Sequence, residues 1–159
     1  MPMIQLTVPA GVLADPDRLA LQQRLAATLL KWEGAPDNAF FRAQAWSNVH
    51  EIAGDHFRAL GDDLPRFRVD VTVPEGAVSQ PRKESLVKEI TEQVLGAAGL
   101  EHSDAPRVWV LIHEQPEGTW GAGGAIVRFQ ELAAAAQNSV NSGAQIDVSL
   151  QTQPGSSGR

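Results

Sequence analysis

The chain has 159 residues, a formal net charge of −6, 43% hydrophobic and 20% charged residues, which fits one soluble globular domain large enough for a real core. It contains no cysteine, which rules out disulfides, thiolate metal sites and cysteine nucleophiles. The acidic balance offers no basic field for nucleic acid, no apolar run approaches the roughly 20 residues of a membrane span, and residues 1–11 lack the features of a secretory leader, so the expected location is the cytoplasm.

The first element expected is a strand, in which Ile4, Leu6 and Val8 alternate with Gln5 and Thr7. Period two puts Pro2 on the apolar face with Ile4 and Leu6. If Met1 is removed, Pro2 becomes a free secondary amine at the mouth of that strand. An α-amino group has a pKa of about 7.7–8.0, and an apolar pocket lowers it by disfavouring the charged form, so the amine would be a base poised near neutral pH. A helix follows, with Asp15 as its expected N-cap, Pro16 at its first position, a core-facing stripe of Leu21, Leu25, Leu29 and Trp32, and Gly34 as its stop.

This unit is written twice. Thr7-Val8-Pro9 and Gly11 recur as Thr72-Val73-Pro74 and Gly76, a displacement of 65 residues, and at that displacement Pro16, Leu21, Leu25 and Leu29 meet Pro81, Leu86, Ile90 and Val94. A second helix is therefore expected over 80–98. The pair His50-Glu51 meets His113-Glu114 at a displacement of 63, which sets Trp46 against Trp109 and leaves two extra residues after the first helix. The run Val108 to Ile112 is apolar at odd and even positions alike and reads as a strand buried on both faces.

The expected architecture is an α/β (α+β) fold: a duplicated β-α-β unit forming a four-stranded sheet with two helices on one face. Crossover handedness puts both helices on that face, so the other needs a second copy of the chain. The boundaries expected are 2–51 for the first unit, 52–66 for a linker, 67–137 for the second unit and 138–159 for a polar, partly disordered tail. Within them, Gln115–Gly124 reads as a glycine-rich hairpin or loop, Val127–Gln137 as a helix and Ile146–Leu150 as a short edge strand. The four histidines, His50, His56, His102 and His113, have no paired ligand spacing, so neither metal nor cofactor is expected.

The Met-Pro start, the doubled unit, and Arg107-Val-Trp-Val-Leu-Ile-His-Glu followed by Glu117-Gly-Thr-Trp-Gly-Ala-Gly-Gly124 together resemble the tautomerase superfamily, in particular a fused form of the 4-oxalocrotonate tautomerase branch. The resemblance spans roughly residues 2–130 and implies a tautomerase/MIF-like fold, a homotrimer, no cofactor, and catalysis by the amino-terminal proline, here Pro2. Phe67 and Arg68 stand at the corresponding place in the second copy, inside the chain, so one working site per chain is implied. Where the family carries an arginine after the glycine of the first loop, this chain has Val12 and Ala77; where the family has an arginine in the last strand, it has Trp46 and Trp109.

Substitutes for those arginines follow from strand period, since Arg107 shares a face with Trp109, and Arg42 with Gln44 and Trp46. A guanidinium suits a carboxylate through its bidentate fork. Candidate substrate contacts are thus Arg107, Arg42, Trp109 and Trp120, with Arg68 and Arg82 weaker; Trp46, Trp109 and Trp120 are otherwise core or interface aromatics. The implied activity is a cofactor-independent keto-enol isomerase acting on a small anionic 2-hydroxy-dienoate or the enol of a 2-oxo acid. The alternatives are a hydratase, dehalogenase or decarboxylase that uses cationic Pro2, and a non-catalytic trimeric binding protein. The chain has no tyrosine, which removes support for a dehalogenase mechanism that positions water with one.

Overall fold

The computed structural model describes residues 2–131 and 134, in two units, one ending at Pro116 and the other beginning at Glu117. The first unit runs β1 (Met3–Pro9), α1 (Asp15–Glu33), α2 (Ala39–Gln44), β2 (Trp46–Ile52), a 3-10 turn at Gly54–His56, β3 (Phe67–Pro74), α3 (Gln80–Ala97), a 3-10 segment at His102–Arg107 and β4 (Val108–Gln115).

These strands form one sheet in the order β2-β1-β3-β4. β1 and β2 are parallel, as are β3 and β4, while the two central strands run antiparallel. The register repeats the internal duplication: Met3 pairs with Trp46 in the first half and Arg68 with Trp109 in the second. The central antiparallel pairing, Met3 with Thr72 and Thr7 with Arg68, relates the halves by a pseudo-twofold.

Both long helices lie on one face of the sheet, as the doubled unit requires. The stripes Leu21, Leu25, Leu29 and Leu86, Ile90, Val94 pack against Ile4, Leu6, Val8 and Val69, Val71, Val73, all fully buried. The helix stop at Gly34 takes a left-handed conformation, φ +74°, and its N–H reaches the carbonyls of Leu30 and Lys31. The N-cap of α1 is Ala14, not Asp15. Asp15 lies inside the first turn, where its charge faces the positive end of the helix.

One ion pair is written twice in the same places. Arg18 reaches Glu51 at 2.6 Å, and Lys83, 65 residues after Arg18, reaches Glu114 at 2.7 Å, each tying a helix start to the end of the parallel edge strand. A polar seam joins the helices to each other: Glu89 Oε2 accepts from Lys31 Nζ at 2.9 Å and from Trp32 Nε1 at 2.8 Å, and Gln93 donates to the buried Thr28 hydroxyl at 2.7 Å.

The other sheet face is open. It presents Trp46 at 69% and Trp109 at 67% exposure. The expectation of a strand buried on both faces is corrected here: within one chain β4 is an edge strand, Val108 is buried, and Val110, Leu111 and Ile112 are only half-buried.

The two residues by which the first half is longer do not extend a loop. They belong to a segment that contains α2, six residues capped by Asn38, whose side-chain oxygen accepts from the Phe41 N–H at 3.1 Å.

The second unit is described by itself. Gly121–Ala122 (β5) and Ala125–Ile126 (β6) form a two-stranded hairpin. Gly123 and Gly124, at φ +60° and +81°, supply the two left-handed positions of a tight type I′ connection. Residues 129–131 and 134 are helical; the rest of the expected 127–137 helix, the tail and the 146–150 strand lie outside the described residues.

Candidate functional site

Pro2 is buried at the start of β1. Its carbonyl accepts the Trp46 N–H at 3.1 Å, so the first ring of the chain is held beside the entry of β2. Its duplicate position, Phe67, is the largest fully buried side chain of the core, at 1% exposure, with its backbone continuous with the linker. One half therefore begins with a small ring at its strand mouth, and the other fills the equivalent volume with a phenyl group.

Three elements converge on the Pro2 end of the sheet. Because β1 and β2 are parallel, the helix between them must return its C-terminus to that end, and it brings Glu33, the last residue of α1. Because β3 runs antiparallel to β1, the loop Glu75–Ser79 and the start of α3 arrive there too, with Arg82 in the first turns. Glu33 Oε1 is buried and has no hydrogen-bond partner among the described residues. Burial pushes the Glu33 carboxyl up to about 7, and the positive charge of the amino terminus acts in the opposite direction. The guanidinium of Arg82 lies over Gly34, where an added Cβ would stand 3.1 Å from its Nη1.

The cations near this end differ in availability. Lys31 is paired with Glu89, Lys83 with Glu114, and Arg42 with Asp37 through Nε at 2.5 Å and Nη2 at 2.9 Å. The fork of Arg42 holds the Asp37 carboxyl below the ordinary range, and Asp37 raises the guanidinium in return. No hydrogen bond or ion pair joins Arg82 to a described residue. A pocket of about 400 Å³ opens between α1 and the α2–β2 segment, lined by Ala26, Ala27, Leu30, Asp37, Arg42 and Ser47.

The residues singled out in the sequence are distributed as follows. Arg42 lies on α2 and not on a strand, so the face it was expected to share with Trp46 does not exist; helix geometry replaces period two there. Trp46 is on the open face, its indole N–H donating to the Ala43 carbonyl at 3.2 Å. Arg107 and Trp109 are at the opposite end of the sheet from Pro2. Trp109 pairs with Arg68, which pairs with Thr7, five residues beyond Pro2 and so about 17 Å along the strand. Arg107 ends the 3-10 segment, where it donates to the Pro65 carbonyl at 3.0 Å and to Asp104 at 2.8 Å, binding the linker down. Arg107 and Trp109 therefore stand too far from Pro2 of their own chain to act beside it. Trp120 is half-buried in the second unit, its carbonyl accepting the Val127 N–H at 2.8 Å.

On the open face, His113 Nε2 and Arg68 Nη2 each approach Asp70 Oδ1 at 2.8 Å. Burial raises the Asp70 carboxyl, but these bonds outweigh it and hold the group below its ordinary value. Sequence reasoning did not single out Glu33, although its place before the glycine that stops α1 was visible. Among the described residues, no group of three or more His, Asp or Glu is arranged to hold a metal ion, and no helix is long and apolar enough to cross a membrane.

Comparison with known proteins bears on this arrangement. The model of the family described as Tautomerase enzyme matches residues 68–130. Among solved structures, the chain is similar to Pt0534 inactivated by 2-oxo-3-pentynoate, at 20% identity with a TM-score of 0.67, over 78% of this chain and 94% of that one. A symmetric trimer of a fused 4-OT, Q0, is similar at 19% identity and a TM-score of 0.66, over 78% and 94% of the two chains. The macrophage migration inhibitory factor-like protein of Entamoeba histolytica is similar at 15% identity and a TM-score of 0.64, over 79% and 98%. At such identities the likeness establishes the fold. Among curated proteins none matches the chain.

Proposed function

Because the chain carries a Tautomerase domain over residues 68–130 within a tautomerase/MIF-like fold, we propose that it is a cofactor-independent tautomerase whose base is the amine of Pro2. The substrate class is a small anionic 2-hydroxy-dienoate or the enol of a 2-oxo acid. The observation that carries the reading is the asymmetry of the two strand mouths: a buried proline at the amino terminus of one, and a core phenylalanine in mid-chain at the other.

In the proposed step the neutral amine takes the enol O–H proton as the carbonyl forms, and the resulting ammonium returns a proton to carbon. The O–H and N–H bonds break in turn, N–H and C–H bonds form, and the amine is regenerated. Of the cations near this end, Arg82 is the one without an ion pair among the described residues and is proposed for the substrate carboxylate, with Arg42 able to join it on release from Asp37; Arg107, Trp109 and Trp120 belong to the proposal as contacts supplied through assembly. A homotrimer that covers the open face and its exposed tryptophans is part of the reading, and native mass spectrometry tests it.

The mechanism requires a chain that begins at Pro2. The test is ultraviolet turnover of 2-hydroxymuconate and phenylenolpyruvate by protein shown by intact mass to lack Met1, with Pro2→Ala alongside. The expected result is a loss of about 10² or more in kcat/KM for Pro2→Ala; equal turnover by the two proteins would end the base reading. A second reading, in which a cationic prolyl amine activates the substrate for hydration or decarboxylation, draws on the carboxyl of Glu33, which favours the charged amine. A pH profile that falls as the amine loses its proton distinguishes it.

A further inference from the structure

The Glu33 carboxyl is left unexplained by packing. It terminates a helix whose buried residues are leucines and Thr28, whose hydroxyl accepts from Gln93, whereas the Glu33 Oε1 is buried and no described residue donates to it. A bare carboxylate in that position is costly twice over: it is removed from water, and it sits at the negative end of the α1 dipole. Such a group is kept in a fold when something outside the packing needs it. The strand mouth that the return of α1 brings to the same end carries the amine of the proposed mechanism.

We propose that Glu33 is the positioning residue for the Pro2 amine, the two groups holding one proton between them in the free site. The inference rests on the base reading given above for what the amine then does, but not for the sharing itself. Once the site has released that shared proton to solvent, the neutral amine takes the enol proton and the new ammonium forms against the Glu33 carboxylate, which compensates the charge until N–H delivers to carbon. The other charges near this end of the sheet do not supply that compensation. From α3, Arg82 is a cation and would oppose an ammonium; Lys31 of α1 is spent on Glu89, Asp37 on Arg42, and Glu114 of β4 on Lys83. The burial that lifts the Glu33 carboxyl to about 7 brings it into the range of an α-amino group, and an interaction of more than about one pK unit between the two makes them titrate as a pair.

The test is a titration of the free protein, which needs no substrate. Protein beginning at Pro2, with ¹⁵N-labelled proline, is followed by NMR from pH 5 to 10 as wild type and as Glu33→Gln. The expected result is a Pro2 midpoint lower by about one pH unit or more in Glu33→Gln, because an opposite charge within about 4–6 Å favours the ammonium by that amount. An unchanged midpoint overturns the proposal.

Should Glu33→Gln fail to fold, the wild type alone decides: the Glu33 side-chain ¹³C carboxyl signal and the Pro2 ¹⁵N signal must show the same two inflections. Independent single-step titrations overturn the pairing. A purely structural role for Glu33 would move neither readout. The turnover of Pro2→Ala is measured separately, so failure of the base reading leaves these titrations to be judged by themselves.

Discussion

Replacing Glu33 by Gln tests the burial of this carboxyl through stability, without reference to any reaction. A carboxyl that moves from its ordinary 4.5 in the unfolded chain to about 7 in the fold makes the folded state less stable by about 3 kcal/mol once it is ionised, at about 1.4 kcal/mol per pH unit. The sign follows from which state ionises first. Below pH 4.5 the group is neutral in both states and contributes no difference. Between 4.5 and about 7 the unfolded chain loses its proton first, so the stability present at low pH is progressively lost, and the loss is complete above 7. Glutamine has nearly the same shape and no charge at any pH. Glu33→Gln should therefore match the wild type to within about 1 kcal/mol near pH 4.5 and exceed it by about 3 kcal/mol at pH 8. Urea unfolding at the two pH values, at one fixed protein concentration because the proposed assembly would also stabilise the fold, measures both differences. An equal difference at the two pH values, or none at pH 8, would refute the claim that the carboxyl is held in a desolvated position.

Three further outcomes are expected. Leu86→Ala, at a fully buried position of the α3 stripe, should cost about 2–5 kcal/mol in denaturant unfolding through the cavity it leaves. Gly34→Ala should lower stability by about 1 kcal/mol or more, since φ +74° is strained for alanine and the new methyl meets the Arg82 guanidinium; thermal unfolding reports it. Asp70→Asn should be less stable than the wild type at neutral pH and converge with it on acidification, because a depressed carboxyl contributes stability above its unfolded value that is lost as pH falls through the folded one. Parallel melting curves from pH 7 to 3 check that convergence.

The sheet and its two helices were legible because each half writes the same periods. Leu21, Leu25, Leu29 and Leu86, Ile90, Val94 mark helices at one displacement, and the His-Glu pairs fix the second strands at another. The two-residue discrepancy between these displacements was visible as a length, but α2 within it was not. Six residues carry too little periodicity to identify a helix, and its stabilising signal is the single cap at Asn38. Extending strand period backwards from Trp46 therefore misplaced Arg42.

Arg107, placed by strand period on one face with Trp109, instead ends the 3-10 segment before β4, and its guanidinium binds the linker carbonyl of Pro65, a partner 42 residues away that no local pattern specifies. Glu33 illustrates the converse. A glutamate at a helix end is solvated in most chains, and its burial here depends on the return of α1 to the strand mouth where the chain begins. That juxtaposition belongs to topology and leaves no mark in the neighbouring residues. Burial on both faces of β4 was inferred from an apolar run whose second covering surface a single chain does not provide.

The covalent join through residues 53–66 has a bearing on how the two halves can differ. In an assembly of identical short subunits, any change of residue is imposed on every copy at once, and a substitution useful at one position must be tolerable at all its symmetry mates. Here the halves are translated together but encoded apart. Phe67 can enlarge the core while Pro2 keeps a small ring at the matching site, and Asp70 can bind His113 while its counterpart Gln5 offers the equivalent His50 no carboxylate. The pseudo-twofold axis thus relates backbones far more strictly than it relates side chains, and the chain is free to specialise one end of its sheet while the other end maintains the frame.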